Sequence, residues 1–179
     1  MSEFAARRTQ LLEAIGDGVA VFPSAPLAVR NHDVEHPYRQ DSDLYRAILF
    51  VRPKKREREM WDGPRAGVEG AVEAFGADVA FPIDELSKRL PDYLDNVERL
   101  HYRLAQNDEA DAKLFDCLNL LRRGGRRGVT APATIIDSSV HLHEMRLRKS
   151  DAELATMGRA AAITKEAHLR AMQIARPGM

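Results

Sequence analysis

Phe4, Leu11, Leu12 and Ile15 recur at helical spacing, and Gly16-Asp17-Gly18 stops the helix that they predict. Val19-Ala20-Val21-Phe22 then reads as a short buried strand closed by Pro23 and Pro26, and Ala47 to Val51 as a second one stopped by Pro53. Between them, residues 28–45 are polar and turn-rich. The mixed charges of Lys54-Lys55-Arg56-Glu57-Arg58-Glu59 predict a solvated loop. A short helix over 65–75, a strand at Asp78-Val79-Ala80-Phe81 and a helix over 83–94 interrupted at Pro91 follow. Arg99 to Leu104 alternates as a strand does, and Leu114, Cys117, Leu118 and Leu121 line one face of a helix over 110–122 capped by Gly124-Gly125. Strands alternating with helices predict an α/β layer fold with a sheet in the middle.

The C-terminal part is different in character. Thr130 to Asp137 reads as a linker and Val140 to Leu147 as a short element. Ser150-Asp151-Ala152-Glu153 has the form of a capping box, opening a long Ala-rich helix that runs to about Ala175, before Pro177-Gly178. Small residues on several of its faces call for close neighbours, and the chain ends at Met179 before any follow. The pattern is that of one domain plus the first helix of another.

Composition narrows the function classes. The chain has 179 residues, 44% hydrophobic and 30% charged, which is a globular composition. Lys+Arg and Asp+Glu are 27 each, so nothing in the charge demands a nucleic acid. The longest apolar run, Ala47 to Val51, is too short for a membrane span, and the N-terminus has no apolar signal core. A lone Cys117 excludes an internal disulfide framework and fits a reducing compartment, so the expected address is the cytoplasm.

Candidate chemistry is sparse. His32 and His36, with Asp33 and Glu35, have metal-like spacing, but Pro37 biases His36 away from the helix that such a pair needs. His141 and His143 would share a face only in a strand, and no ligand pattern completes a set around them. Gly16-Asp17-Gly18 precedes a strand, whereas a dinucleotide fingerprint follows one, so it is a turn. The basic run Arg122-Arg123-Gly124-Gly125-Arg126-Arg127 reads as a helix end with dipole-complementing arginines rather than a phosphate site. Cys117, on an apolar face, reads as buried filler. Trp61, the single tryptophan, falls in a loop, where it serves either as a hydrophobic plug or as an anchor for a ligand or partner. No complete catalytic constellation is present.

Several segments together resemble one family. His36-Pro-Tyr-Arg-Gln-Asp-Ser-Asp-Leu-Tyr45 is similar to the YPYRQ(N/D)SDFxY segment of the aminopeptidase P N-terminal domain. Leu49-Phe-Val-Arg-Pro53 and Glu59-Met-Trp-Asp-Gly63 resemble that domain's strand and its E-(I/M)-W-x-G loop. Ala131-Pro-Ala-Thr-Ile-Ile-Asp137 and His143-Glu-Met-Arg-Leu-Arg-Lys-Ser150 resemble the family's interdomain linker, and the last helix, ending at Arg-Pro-Gly-Met179, resembles the opening helix of the catalytic domain.

The resemblance implies an α/β fold with a mixed β-sheet flanked by helices and a long C-terminal helix. It divides the chain into an N-terminal domain, 1–137, and a linker with a first catalytic-domain helix, 138–179. In the full-length family, two Mn(II) ions on two Asp, one His and two Glu activate water to release an N-terminal residue preceding proline. All five ligands fall beyond the position of Met179, so the resemblance implies no catalytic residue, no metal and no activity in this chain alone. It also implies an internal deletion near 45–46, where Tyr45 passes directly to Arg46 and about one hairpin is missing. Trp61 becomes the one implied functional position, facing the substrate pocket of a neighbouring subunit. The implied partners are a second copy or a catalytic domain, with proline-containing peptides as substrates of the full-length protein only. A second reading is a stand-alone protein-binding or oligomerisation module, motivated by apolar residues on the last helix.

Overall fold

A computed structural model describes residues 3–16, 18–23, 29–31, 34–35, 48–125 and 128–176. In chain order its elements are α1 (Glu3–Ile15), β1 (Val19–Ala20), β2 (Val29–Asn31), β3 (Val34–Glu35), β4 (Ile48–Val51), α2 (Arg56–Asp62) and α3 (Gly67–Phe75). Then come β5 (Val79–Pro82), a 3-10 turn (Ile83–Glu85), α4 (Leu86–Leu94), β6 (Arg99–His101), α5 (Asp108–Arg123), β7 (Thr134–Ile136), α6 (Ser139–Leu147) and α7 (Asp151–Ile174). The chain divides into two compact units, 1–142 and 143–179.

In the first unit, β6 is the middle strand of a parallel set ordered β1-β6-β7. Val19 pairs with Leu100, Leu100 with Ile135, and His101 with both Ala20 and Ile136. The ladder extends one residue further, because Val21 N–H donates to His101 O at 3.0 Å and Tyr102 N–H to Ile136 O at 2.9 Å. Parallel neighbours need a crossover, and α5 supplies the one from β6 to β7. A strand covered on both faces carries no polar–apolar alternation, and Leu100, His101 and Tyr102 are all buried.

The main core is built on that strand. Leu90 and Leu94 of α4 and Leu114, Cys117, Leu118 and Leu121 of α5 close over Leu100 and Tyr102. Asn107 caps α5 by accepting from Ala110 N–H at 3.0 Å, with acidic residues in the first turn and Arg122 and Arg123 in the last. Asp111 accepts from the Tyr102 hydroxyl at 2.6 Å and from Ala105 N–H at 2.9 Å. These bonds hold the β6–α5 loop, in which Ala105 sits in the left-handed region at φ 62°. A smaller core lies elsewhere in the unit, where Leu49 of β4, Ala71 of α3 and Ala77 and Ala80 at β5 pack together. β4 and β5 form their own parallel pair, in register from Ile48–Val79 to Val51–Pro82, with α2 and α3 as the crossover. The rings of Phe50 and Phe81 lie 5.7 Å apart on it, and the Arg89 guanidinium stacks 3.8 Å from the Phe81 centroid.

The α/β architecture expected from sequence is present, with both parallel and antiparallel pairings, the latter between β2 and β3. Among the described residues the strands form three small sheets rather than one. Three local expectations need correction. The charged run after Pro53 is not a loop but opens α2, because Arg, Glu and Met are good helix formers whatever their charge. Pro91 does not interrupt α4, since it removes one N–H while buried Leu90 and Leu94 on either side anchor the helix. Thr134–Ile136, within the expected linker, is a strand, drawn into the sheet by the edge of β6.

The second unit comprises the end of α6 and all of α7. Lys149 Nζ donates to the carbonyls of Arg146 and Leu147, closing α6. The capping box forms as expected: Ser150 Oγ accepts from Glu153 N–H at 3.2 Å while the Glu153 carboxylate accepts from Ser150 N–H at 2.8 Å. Leu154, Met157, Ile163, Leu169 and Met172 are all exposed along α7.

Truncating Leu94 to Ala should lower unfolding free energy by about 2–5 kcal/mol in urea melts, since the side chain is fully buried in the main core. Leu120→Ala, at a position 59% exposed on the same helix layer, should stay within about 0.5 kcal/mol of the parent.

Candidate functional site

Trp61 lies in the last turn of α2, not in the loop expected from its charged and Gly-rich neighbours. The backbone around it is pinned. Glu59 reaches forward so that its carboxylate accepts from Arg65 N–H at 2.8 Å, closing the α2–α3 connection. Arg65 Nη1 donates to Pro53 O at 3.4 Å, tying that connection to the end of β4. Gly63 caps α2 at φ 84°, and Gly67 turns into α3 at φ 65°, with a would-be Cβ 3.1 Å from the Lys54 side chain. Met60, beside Trp61, is 78% exposed. Trp61 therefore sits on a short helix whose C-terminal connection is tied back to the chain just after β4.

The other candidates separate. His32, Asp33 and His36 lie outside the described residues, and Glu35 is on β3. His141 and His143 sit on α6, where residues two apart do not share a face. His141 instead faces His101 of β6, their ring centroids 5.3 Å apart. His168 is exposed on α7. Among the described residues no three His, Cys, Asp or Glu side chains gather so as to hold a metal ion. They do not fit the manganese pair that the resemblance implies, and no catalytic step is assigned to them. Arg122 and Arg123 end α5, with Gly124 N–H donating to Leu120 O and Leu121 O, as a helix terminus demands; Arg126 and Arg127 lie outside the described residues. Gly16, at φ 63°, ends α1 as expected.

Cys117 is buried at 4% exposure in the main core, and burial pushes its thiol up to about 11. The Tyr102 hydroxyl is likewise raised far above its ordinary value, by burial first and then by its bond to the Asp111 carboxylate. Neither is poised to react. The feature that sequence reading missed is His101, 2% exposed, with both ring nitrogens lacking a hydrogen-bond partner. Burial, then His141, then Arg99 hold its pKa below the ordinary histidine value. The only signal was its place between Leu100 and Tyr102 in a strand with both faces covered.

The sequence model of the aminopeptidase P N-terminal domain matches this chain over residues 4–46 and 45–102. The chain belongs to the aminopeptidase P family, and the part of that family it contains is the N-terminal domain. It is 36% identical over 200 residues to the Xaa-Pro aminopeptidase of Escherichia coli, covering 99% of this chain and 45% of that protein. Among solved structures, aminopeptidase PepP of Pseudomonas aeruginosa matches with a TM-score of 0.86 at 36% identity, over 99% of this chain and 45% of its own. A zinc-substituted Escherichia coli aminopeptidase P in complex with product matches with a TM-score of 0.88 at 34% identity, over 100% of this chain and 46% of its own. The chain thus spans less than half the length of these relatives. The Escherichia coli alignment runs over 200 positions against 179 residues here, so the relative carries positions with no counterpart in this chain. Among the described residues no helix is long and apolar enough to cross a membrane.

A buried, protonated Cys117 should resist a thiol-specific disulfide reagent in the native protein at pH 8 and react fully once urea unfolds the chain. Prompt stoichiometric labelling under native conditions would show that the α5 core is open.

Proposed function

We propose that this chain is the N-terminal, non-catalytic part of a manganese-dependent Xaa-Pro aminopeptidase of the cytoplasm. In this reading residues 138–179 are the linker and first helix of a catalytic domain, which binds two Mn(II) ions and cleaves proline-containing peptides. The observation that carries it is the extent of the likeness, 99% of this chain against 45% of a relative named for that activity. The exposed apolar side chains of α7 support it, because a helix of this kind owes its stability to packing against neighbours. Trp61, on its pinned helix, contributes to the substrate pocket of a neighbouring subunit in the assembled protein.

Purified with excess Mn(II), the chain alone should release no N-terminal residue from a Xaa-Pro peptide. Measurable metal-dependent release would sink the proposal.

The reading includes the loss of about one hairpin near 45–46. Its support is that the family match comes in two segments meeting at residues 45 and 46, and that β4 and β5 form a pair apart from β1-β6-β7. Inserting a two-stranded hairpin of the family's kind between Tyr45 and Arg46 should raise the urea midpoint. An unchanged or lowered midpoint would argue that this chain is complete in its sheet as it stands.

The exposed face of α7 also favours a second reading, a stand-alone binding or oligomerisation module. It predicts a defined, saturable self-association by sedimentation, whereas a fragment awaiting its catalytic half forms no defined oligomer.

A further inference from the structure

His101 occupies a position that only a neutral ring tolerates. It is buried in the central strand β6, and neither ring nitrogen has a partner. Its ring presses on the β1 side, where a Cβ placed on Gly18 would come within 2.9 Å of Cδ2 and 3.0 Å of Nε2. Among the described residues, every element against it offers either no charge or the wrong one. β1 brings Gly18 to Val21, the end of α1 brings Ile15, and β7 brings Ile136 as its ladder partner, none of them titratable. Its own strand brings Arg99, and the first turn of α6 brings the half-buried ring of His141, centroid to centroid 5.3 Å. Asp137, which follows Ile136 of β7 in the chain, accepts from Ser139 N–H at 2.8 Å at the start of α6.

A proton on His101 would thus bury a cation with two unsatisfied donors, facing Arg99 and a second imidazole. Burying a charge without a partner is among the largest penalties in a protein interior. The strand is fixed by a ladder on both sides, whereas the bonds at the start of α6, Val140 N–H to Asp137 O at 3.3 Å and Leu142 N–H to Ser138 O at 3.2 Å, are local to that turn. We propose that the His101–His141 contact is an acid-released joint, which seats the first turn of α6 on the β1-β6-β7 sheet while the buried His101 ring is neutral and lets it go when that ring takes a proton.

The direction with pH follows from linkage. In the unfolded chain His101 titrates near the ordinary value of about 6.5, and in the native chain it takes its proton only below that. Stability due to the neutral ring is complete above about pH 6.5, declines as the pH falls through it, and is lost once His101's own lowered value is passed. The decline is at most tenfold in the folding constant per pH unit for one proton.

The test uses the whole chain, with NMR titration of the histidine rings and carbon chemical shifts of residues 139–142. The proposal expects His101 to stay neutral well below an ordinary histidine. It further expects the helical shifts of 139–142 to collapse with the same midpoint as His101 protonation. In His101→Phe, which keeps a buried ring without a titrating nitrogen, that collapse should disappear. Titration of His101 at the ordinary value with unchanged shifts at 139–142 would overturn the proposal. So would the same collapse at the same pH in His101→Phe, and if that variant does not fold the parent titration alone decides.

Discussion

The three residues Leu100, His101 and Tyr102 are the constraint on which the first unit rests. They hydrogen-bond to β1 on one side and β7 on the other, and their side chains are buried. Strands at the two edges are only two or three residues long, so they gain order from pairing with β6 rather than from their own propensity. The α4 and α5 leucines then have a fixed surface to pack on, and the Tyr102–Asp111 bond carries the position of the strand into the start of α5. A central strand with both faces buried leaves no place for a polar group without cost, and His101 pays it.

A second body of packing, built on the β4–β5 pair, carries the segment to which a functional role is ascribed. Its core is made of small residues, Ala71, Ala77 and Ala80 around Leu49. Small side chains let α3 approach the strands closely but contribute little buried area. Precision there comes from polar bonds, Glu59 to Arg65 and Arg65 to Pro53, which define the course of α2 and its Trp61. The first unit thus has two cores of different make, a leucine-rich one on β6 and an alanine-rich one on β4–β5.

Much of this was legible in the residues. The period of Leu114, Cys117, Leu118 and Leu121, the glycine stop after α1, and the Ser150–Glu153 capping box each act locally, so sequence alone reveals them. What was hidden depends on partners distant in the chain. Thr134–Ile136 is a strand only because β6 offers an edge, and Pro91 stays within a helix only because Leu90 and Leu94 are anchored by α5 and β6. Arg56 to Glu59 is helical because the helix propensity of Arg and Glu outweighs the solvated-loop pattern of their mixed charges. For Trp61, residue spacing leaves plug and anchor equal, and the substrate-pocket role is implied by the resemblance to aminopeptidase P alone. The meeting of His101 and His141, forty residues apart, had no sequence signature at all.

Native-state hydrogen exchange, resolved by residue, tests most directly whether β6 organises the first unit. The account predicts that the amides of Val21 and Tyr102, bonded across the ladder, exchange only through global unfolding together with the buried turns of α5. The β4–β5 pair should open at lower free energy. If Val21 and Tyr102 exchange before the β4–β5 amides, the unit does not rest on β6, and the account fails.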